Sequence, residues 1–417
     1  MAQDSPAPTS AAPERFPFKT WLIAFAGWTF DFYDLVLFSF LLIPIGHELG
    51  LSAPQEAWLL GAALGASGVG GIVFGYLSDL YGRKRVMMWT ICLYSLGTGL
   101  TALASGPWTL LLYRVITGLG VGGEWAVGHA LMAESSPKHM RGRASALLQA
   151  GEPVGVALAA LTGLLGAPLL GWRAICLISA ASAGIALLVR SQLPESRLWD
   201  RQHEQRLTPF AALGRLARAG LLSTMARAFL LGVFKLGTYW TCYIWFPKFL
   251  QNELGQPVGR SFMWILTAQL GQLLGMLGFG WLADRYGRRG VFTGYSLLTA
   301  AAIYGIAFHW RALLQEPVYF WGVLFAMGLG SGCTAGFGAL LAELFPTDVR
   351  NFAMGTTYNC ARAMQLFSPV LVGYFFARYG FEGALSVPML LALLTATWVW
   401  TLPETRQRDL EAIAIKP

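Results

Sequence analysis

The segment GWTFDFYDLVLF, Gly27 to Phe38, sets Asp31 and Asp34 in the middle of an apolar run extending from about Thr20 to Ile45. Their i,i+3 spacing puts both carboxylates on one helical face, a turn apart. They begin ~11 residues into the run, about 16 Å deep at 1.5 Å per residue. Two carboxylates close together in a poorly solvated place cannot both ionise cheaply, so one is poised to take up a proton. The chemistry on offer is reversible proton carriage. The competing reading is a purely structural pairing with a cation.

Arg114, Glu124, Glu152, Lys235 and Arg362 also fall inside apolar runs. A charge at mid-bilayer costs at least about 2.5–3.5 kcal/mol on insertion scales, so each must face a partner or a cavity. Arginine offers a fixed fork that binds a carboxylate through two bonds. Arg362, flanked by Asn359 and Gln365 in a polar stripe, reads as a ligand for a substrate anion. Lys235 either faces the same site or snorkels to the interface. Glu152 follows Gln149 by three residues and shares its face, and both it and Glu124 read as coupling acids or as helix–helix partners. Tyr33, Tyr239, Trp240, Tyr243 and Tyr358 either line a pocket of mixed apolar and hydrogen-bonding character or pack at interfaces. No metal or cofactor is expected. The cysteines (Cys92, Cys176, Cys242, Cys333, Cys360) form no CxxC pair, and the histidines show no HExxH spacing. Without a nucleophile–base constellation, an enzyme is not expected.

The elements that must hold these groups are helices suited to lipid. The chain is 55% hydrophobic and 12% charged over 417 residues, against about 25% charged in soluble domains. Apolar segments of spanning length fall near 20–45, 56–80, 86–104, 108–134, 143–166, 172–191, 224–249, 262–283, 290–309, 317–343, 352–377 and 384–402. The expected fold class is an all-α integral membrane protein with twelve transmembrane helices in two six-helix halves. The expected divisions are a disordered N-terminus (1–19), two bundles (20–192 and 221–403), a linker (193–220) and a tail (404–417). With both termini inside, the outer loops hold only Arg173, Lys248, Arg260, Arg311 and Arg378, and the other loop cations gather on the inner face. That asymmetry accounts for the net charge of +8 as a topological signal, so no nucleic-acid partner is expected. In the linker, Pro209 to Arg218 alternates apolar and basic residues, like a helix lying on the membrane surface.

The halves repeat. GYLSDLYGRKR (75–85) recurs as GWLADRYGRRG (280–290), GLGVGG (118–123) as GLGSGC (328–333), AESSPKHMR (133–141) as AELFPTDVR (342–350), and LPES (193–196) as LPET (402–405). The offset stays at 205–210 residues throughout, which marks a duplicated unit of the kind secondary transporters use. At the positions of Arg114, Glu124 and Glu152 the second copy has Leu324, Thr334 and Ala361. The duplicated scaffold therefore does not require those charges. The glycines of GLGVGG read as close-packing positions.

Gly75, Asp79, Gly82, Arg83, Lys84 and Arg85, with Gly280, Asp284, Gly287, Arg288 and Arg289, match the G-x-x-x-D-x-x-G-R-K/R loop twice. On these motifs the chain resembles the major facilitator superfamily over nearly its whole length. WTFDFYD, RVITGLGVGGEW, SSPKHMRGRASALLQAGEPVG and GWRAICLI look most like the proton-coupled sialic acid and lactate/pyruvate permeases. FKLGTYWTCYIWFPKF, residues 234–249, lacks the Asn/His/Gln/Asp signature that lactate permeases carry there. DFYD is also similar to the D-G-x-D of aromatic-acid symporters, without the glycine. The resemblance places Arg114 beside the first helix, as a gate or as the counter-ion of Asp34. Asp79 with Arg83, and Asp284 with Arg288, are expected to pair across the inner face and cap neighbouring helix ends, forming a conformational gate.

These readings converge on a monomeric secondary transporter of the inner membrane, moving a small organic anion, a monocarboxylate or acidic sugar, together with protons. Proton-coupling candidates are Asp31, Asp34, Glu124 and Glu152. Substrate candidates are Arg362, Lys235, Arg114, Tyr33, Gln149, Asn359, Gln365 and Tyr239. The alternatives are an aromatic-acid or dicarboxylate proton symporter, a drug efflux pump, and a non-transporting receptor.

Overall fold

The computed structural model describes residues 16–191, 195, 208–252, 258–408 and 410. Most of the expected disordered N-terminus, most of the linker before residue 208 and the tail beyond 410 lie outside the described residues. The first half comprises α1 (Phe18–Leu49), α2 (Ala53–Tyr81), α3 (Arg83–Thr101), α4 (Pro107–Ser135), α5 (Lys138–Leu161) and α6 (Trp172–Arg190). The second comprises α7 (Leu222–Asn252), α8 (Val258–Tyr286), α9 (Arg288–Gln315), α10 (Pro317–Leu344), α11 (350–379) and α12 (381–398). Gly380, at φ 67°, breaks α11 from α12 within one continuous helical run.

Eight described helices are long and apolar enough to cross a bilayer on those grounds alone, or nine with the bent pair that includes α7. Two of the remaining spans fall short for visible reasons. α3 opens on Arg83, Lys84 and Arg85, and α11 carries Asn351, Asn359, Arg362 and Gln365. The α3–α4 and α2–α4 contacts explain the glycine run: a Cβ on Gly122 would lie 2.1 Å from the Ser67 carbonyl oxygen, and one on Gly118 2.3 Å from that of Ala63. Backbones approach this closely only where side chains are absent.

The halves meet along α2–α11 and α5–α8. Gly68, Gly71 and Gly75 face Ala363, Asn359 and Asn351, and Gly280 faces the Gly142 backbone. One apolar cluster runs through this seam, from Trp28, Phe32 and Trp125 to Phe279, Phe337 and Tyr358. Large apolar side chains such as Ile43, Leu103, Trp108 and Leu169 stand exposed on the outside, as a lipid-facing surface requires. Three spans are discontinuous near mid-length: α5 at Ala150, α10 at the 3-10 turn Gly332–Ala335, and α11 at Met364–Phe367. In α5, Pro153 has no N–H to offer the Gln149 carbonyl.

The linker helix Pro209–Arg218 is N-capped by Thr208, buries Ala212 and Leu216, and exposes Phe210. Arg215 forms an ion pair with Asp348 in the α10–α11 loop.

Candidate functional site

At the basic-loop face, the repeated motifs fold into two matching networks. Arg83 pairs with Asp79 (3.3 Å) and Glu134 (3.2 Å), and Arg288 with Asp284 (2.8 Å) and Glu343 (3.0 Å). Glu195 accepts from the Arg83 N–H (2.9 Å), and Glu404 from the Arg288 N–H (2.9 Å), at the first turns of α3 and α9. Gly82 and Gly287, at φ 97° and 98°, supply the turn that no L-residue adopts easily. These Asp–Arg pairs are i,i+4 within one half, which corrects the expectation of pairing across the face. The crossing is made by the other carboxylate contacts. Asp79 accepts from the Phe352 N–H (2.9 Å), and Asp284 from those of Gly142 (2.9 Å) and Arg143 (3.0 Å). Each aspartate caps a helix N-terminus of the opposite half, where the helix dipole favours it. Arg350 adds a cross-half ion pair to Glu134 at 2.7 Å. This face is closed in the structure.

Halfway along the seam lies a second polar cluster. Gln149 Oε1 accepts from Trp125 Nε1 (3.1 Å) and lies 2.7 Å from His129 Nε2, while its Nε2 donates to Glu152 Oε2 (2.6 Å). Gln272 on α8 donates to Glu152 Oε1 at 3.1 Å, across the halves. Tyr239 and Lys235 on α7 face the same carboxylate. Among the described residues, Lys235 Nζ is buried with no hydrogen-bond partner, as are both Nη atoms of Arg362. Lys235 therefore does not snorkel. The Arg362 guanidinium lies 5.3 Å from the Tyr358 ring centre and 5.9 Å from that of Trp28. Tyr358 stacks on Trp125 at 3.6 Å and 6°. Asn359 donates to the Gly122 carbonyl (2.7 Å), and Gln365 to that of Ala361 (2.9 Å).

Leaving such groups buried and unsatisfied is costly. Two buried cations with open donors, beside aromatic faces and an acid, have the chemistry to accept an anion. The structure thus brings Glu152, Gln149, Lys235, Tyr239, Tyr358 and Arg362 together. It takes other candidates elsewhere. Glu124 accepts from Thr90 on α3 at 2.7 Å, inside the first half. Asp34 accepts from Ser179 on α6, with Tyr33 beside it. Arg114 lies 4.1 Å over the Phe38 ring, within electrostatic reach of Asp34 but not in a contact ion pair. Asp31 is fully buried one turn earlier on α1. Residues not singled out from sequence include Trp28, Trp125, His129, Gln269 and Gln272. The usable signal was AQLGQL, where Gln269 and Gln272 sit three apart in an apolar span.

A duplicated six-helix bundle, closed at one face by repeated charge networks and polar at its seam, defines a multi-pass membrane carrier. The sequence profile of the Major Facilitator Superfamily matches residues 21–268 and again 259–416, and the chain belongs to that family. Its relatives include a probable 4-methylmuconolactone transporter of Cupriavidus pinatubonensis, 32% identical over 95% of this chain and 92% of that one. The sialic acid transporter NanX of Escherichia coli is 30% identical over 87% of each chain. Among solved structures, the proton:xylose symporter XylE bound to 6-bromo-6-deoxy-D-glucose shares the fold, with a TM-score of 0.79 at 20% identity, covering 95% of this chain and 98% of that one. The family is one of transporters, and the reading against an enzyme stands with it.

Proposed function

We propose that the protein is a proton-coupled symporter of a small organic anion, working by alternating access. The observation that carries this reading is the pair of buried cations, Lys235 and Arg362, whose donors are open at the seam between the halves. A carboxylate satisfies both, and the fork of Arg362 fixes its orientation. The name of the sialic acid relative agrees with an acidic cargo. Protonation of the carrier as it loads an anion removes the electrical cost of moving the charge, about 2.3 kcal/mol per 100 mV.

The proton-coupling acids are drawn from Asp31, Asp34, Glu124 and Glu152. Asp79, Arg83, Asp284 and Arg288 form the gate. Arg114, Tyr33, Gln149, Asn359, Gln365 and Tyr239 support the substrate region. The basic-loop face is assigned to the cytoplasm of an inner membrane, with both termini there. The chain acts as a monomer in a lipid bilayer, divided into bundles at 20–192 and 221–403, joined by the linker 193–220 and flanked by termini 1–19 and 404–417.

The first cargo class is a monocarboxylate or acidic sugar. An aromatic acid or dicarboxylate is the second, favoured by the Trp125–Tyr358 stack and by there being two cations. The test is uptake of a labelled carboxylate panel into proteoliposomes, with and without an imposed pH gradient. Gradient-driven accumulation of at least one acid is expected. Uptake of neutral sugars or cations alone would refute the anion assignment.

A further inference from the structure

We propose that Glu152 is a proton site that fills when the incoming anion takes Lys235 away from it. This rests on the reading of Lys235 and Arg362 as the anion's ligands. Glu152 accepts from two amides of different character. Gln149 is fixed as a donor, because Trp125 Nε1 and His129 both occupy its oxygen side. Gln272 is not fixed: its Nε2 donates to Glu152 while its Oε1 has no partner among the described residues. Turning the Gln272 amide over presents that oxygen to a protonated Glu152, whose O–H then donates to it. The acid is thus satisfied in both protonation states, and a bond between the halves survives in both. A carboxylate with only fixed donors would not have this property.

The surroundings make the counter-ion decisive. From α7, Lys235 and Tyr239 face Glu152. From α8 comes neutral Gln272. From α11 comes Tyr358, with Arg362 beyond it. From α4, His129 reaches it only through Gln149. α1 packs Thr29 and Tyr33 onto Gly151 and Gly155; of its acids Asp34 is turned to Ser179, and Asp31 lies one turn earlier. Lys235 is the cation whose charge acts on Glu152, and among the described residues its ammonium makes no hydrogen bond. When an anion binds Lys235 and Arg362, Glu152 shares its positive partner with a second negative charge. The carboxylate then takes one proton from water on the open side and becomes the neutral acid. Release of the anion restores Lys235 to Glu152, and the proton leaves to the other side. Anion and proton travel together because each makes room for the other's charge.

Two arms test this on purified full-length protein. In the first, N-acetylneuraminate and then the other panel acids are added in weak buffer with a pH indicator. The parent should take up about one proton per anion bound, and its affinity should rise by up to about tenfold per pH unit lowered. Glu152→Gln should bind without proton uptake and with flat pH dependence. Uptake that persists in Glu152→Gln overturns the proposal. The second arm needs no substrate. Infrared spectra of Lys235→Met should show a protonated carboxyl at neutral pH that is absent from the parent and from Lys235→Met/Glu152→Gln. Lys235→Gln serves if the methionine variant does not fold. Absence of that band overturns the link between Lys235 and Glu152. If no panel acid binds while the band appears, the anion assignment fails and the Glu152–Lys235 link stands.

Discussion

Asp284→Ala removes the carboxylate that holds the first turn of α5 to the end of α8. Its oxygens accept from the Gly142 and Arg143 N–H groups at 2.9 and 3.0 Å, and both bonds cross between the halves. Hydrogen bonds to charged groups contribute about 1.5–3 kcal/mol each. When the face opens, water replaces them, so they act on the closed state alone. Arg288 keeps Glu343 at 3.0 Å in either case, so the variant strands no buried cation without a partner. A net loss of about 2–3 kcal/mol shifts the equilibrium between open and closed basic-loop faces by about 30- to 150-fold, at 1.36 kcal/mol per tenfold. Spin labels at the exposed positions His139 and Arg285, one on each half, report the separation. The distance distribution should gain a longer component in Asp284→Ala, with Cys92→Ser as background because Cys92 is exposed. Turnover should fall because the carrier rests open, while affinity for substrate changes little. A distance distribution identical to the parent's, or an affinity that falls as steeply as turnover, refutes the assignment of Asp284 to the gate.

Two further outcomes are expected. Arg362→Lys keeps the charge but loses the two-bond fork, and should weaken substrate binding about 10- to 150-fold, equivalent to one charge-assisted bond of about 1.5–3 kcal/mol; binding within about twofold of the parent sinks the carboxylate clamp. Glu404 is held below the usual glutamate range: packing opposes its ionisation, but the N–H groups of Arg288, Arg289, Arg406 and Thr405 outweigh it. A carboxyl depressed in the folded state stabilises fully above its unfolded range and loses that contribution as pH falls through the lower folded value. The melting temperature of the parent should therefore decline on the acid side more than that of Glu404→Gln, and parallel acid limbs in the two proteins would contradict the cap.

The fold was legible because most of its helices advertise themselves by length and apolarity, and because four motifs recur at a nearly constant offset. The charges of the site were legible for the same reason: Glu152, Lys235 and Arg362 are costly in lipid, so their presence demanded an explanation. Their neutral partners were not. Gln272, His129 and Trp125 cost little in a span and raise no signal alone. Partners such as Ser179 for Asp34 and Thr90 for Glu124 are hydroxyls on other helices, with nothing in the sequence to single them out. The repeated loop motif pointed to residues that do form charge networks, but with the Asp–Arg pairs inside each half. Its Asp and Arg are four apart on either side of the Gly82 or Gly287 break between consecutive helices, which brings them together within one half, and the other carboxylate contacts go to the opposite half.

The basic-loop networks and the seam cluster are joined by the same two helices. α5 offers Gly142 and Arg143 to Asp284 in its first turn and Glu152 nine residues past Arg143. α11 offers Phe352 to Asp79 in its first turn and Arg362 ten residues on. At 1.5 Å per residue the two sites are about 15 Å apart along each helix. The repeat offset of 209 residues between the AESSPKHMR and AELFPTDVR motifs aligns Ala361 with Glu152 and Arg362 with Pro153. Duplication thus left a symmetric pair of networks, in which each aspartate caps the other half's helix. Divergence then placed an acid on one of these helices and a cation on the other, one residue apart in the repeat. Charge drawn together or screened at mid-seam therefore acts on α5 and α11 in particular, and those helices are the ones whose first turns the gate holds. On the proposed function, a substrate anion need not touch Asp79 or Asp284 to bias the closed face. It needs only to change how strongly α5 and α11 are held against the opposite half at Glu152 and Arg362.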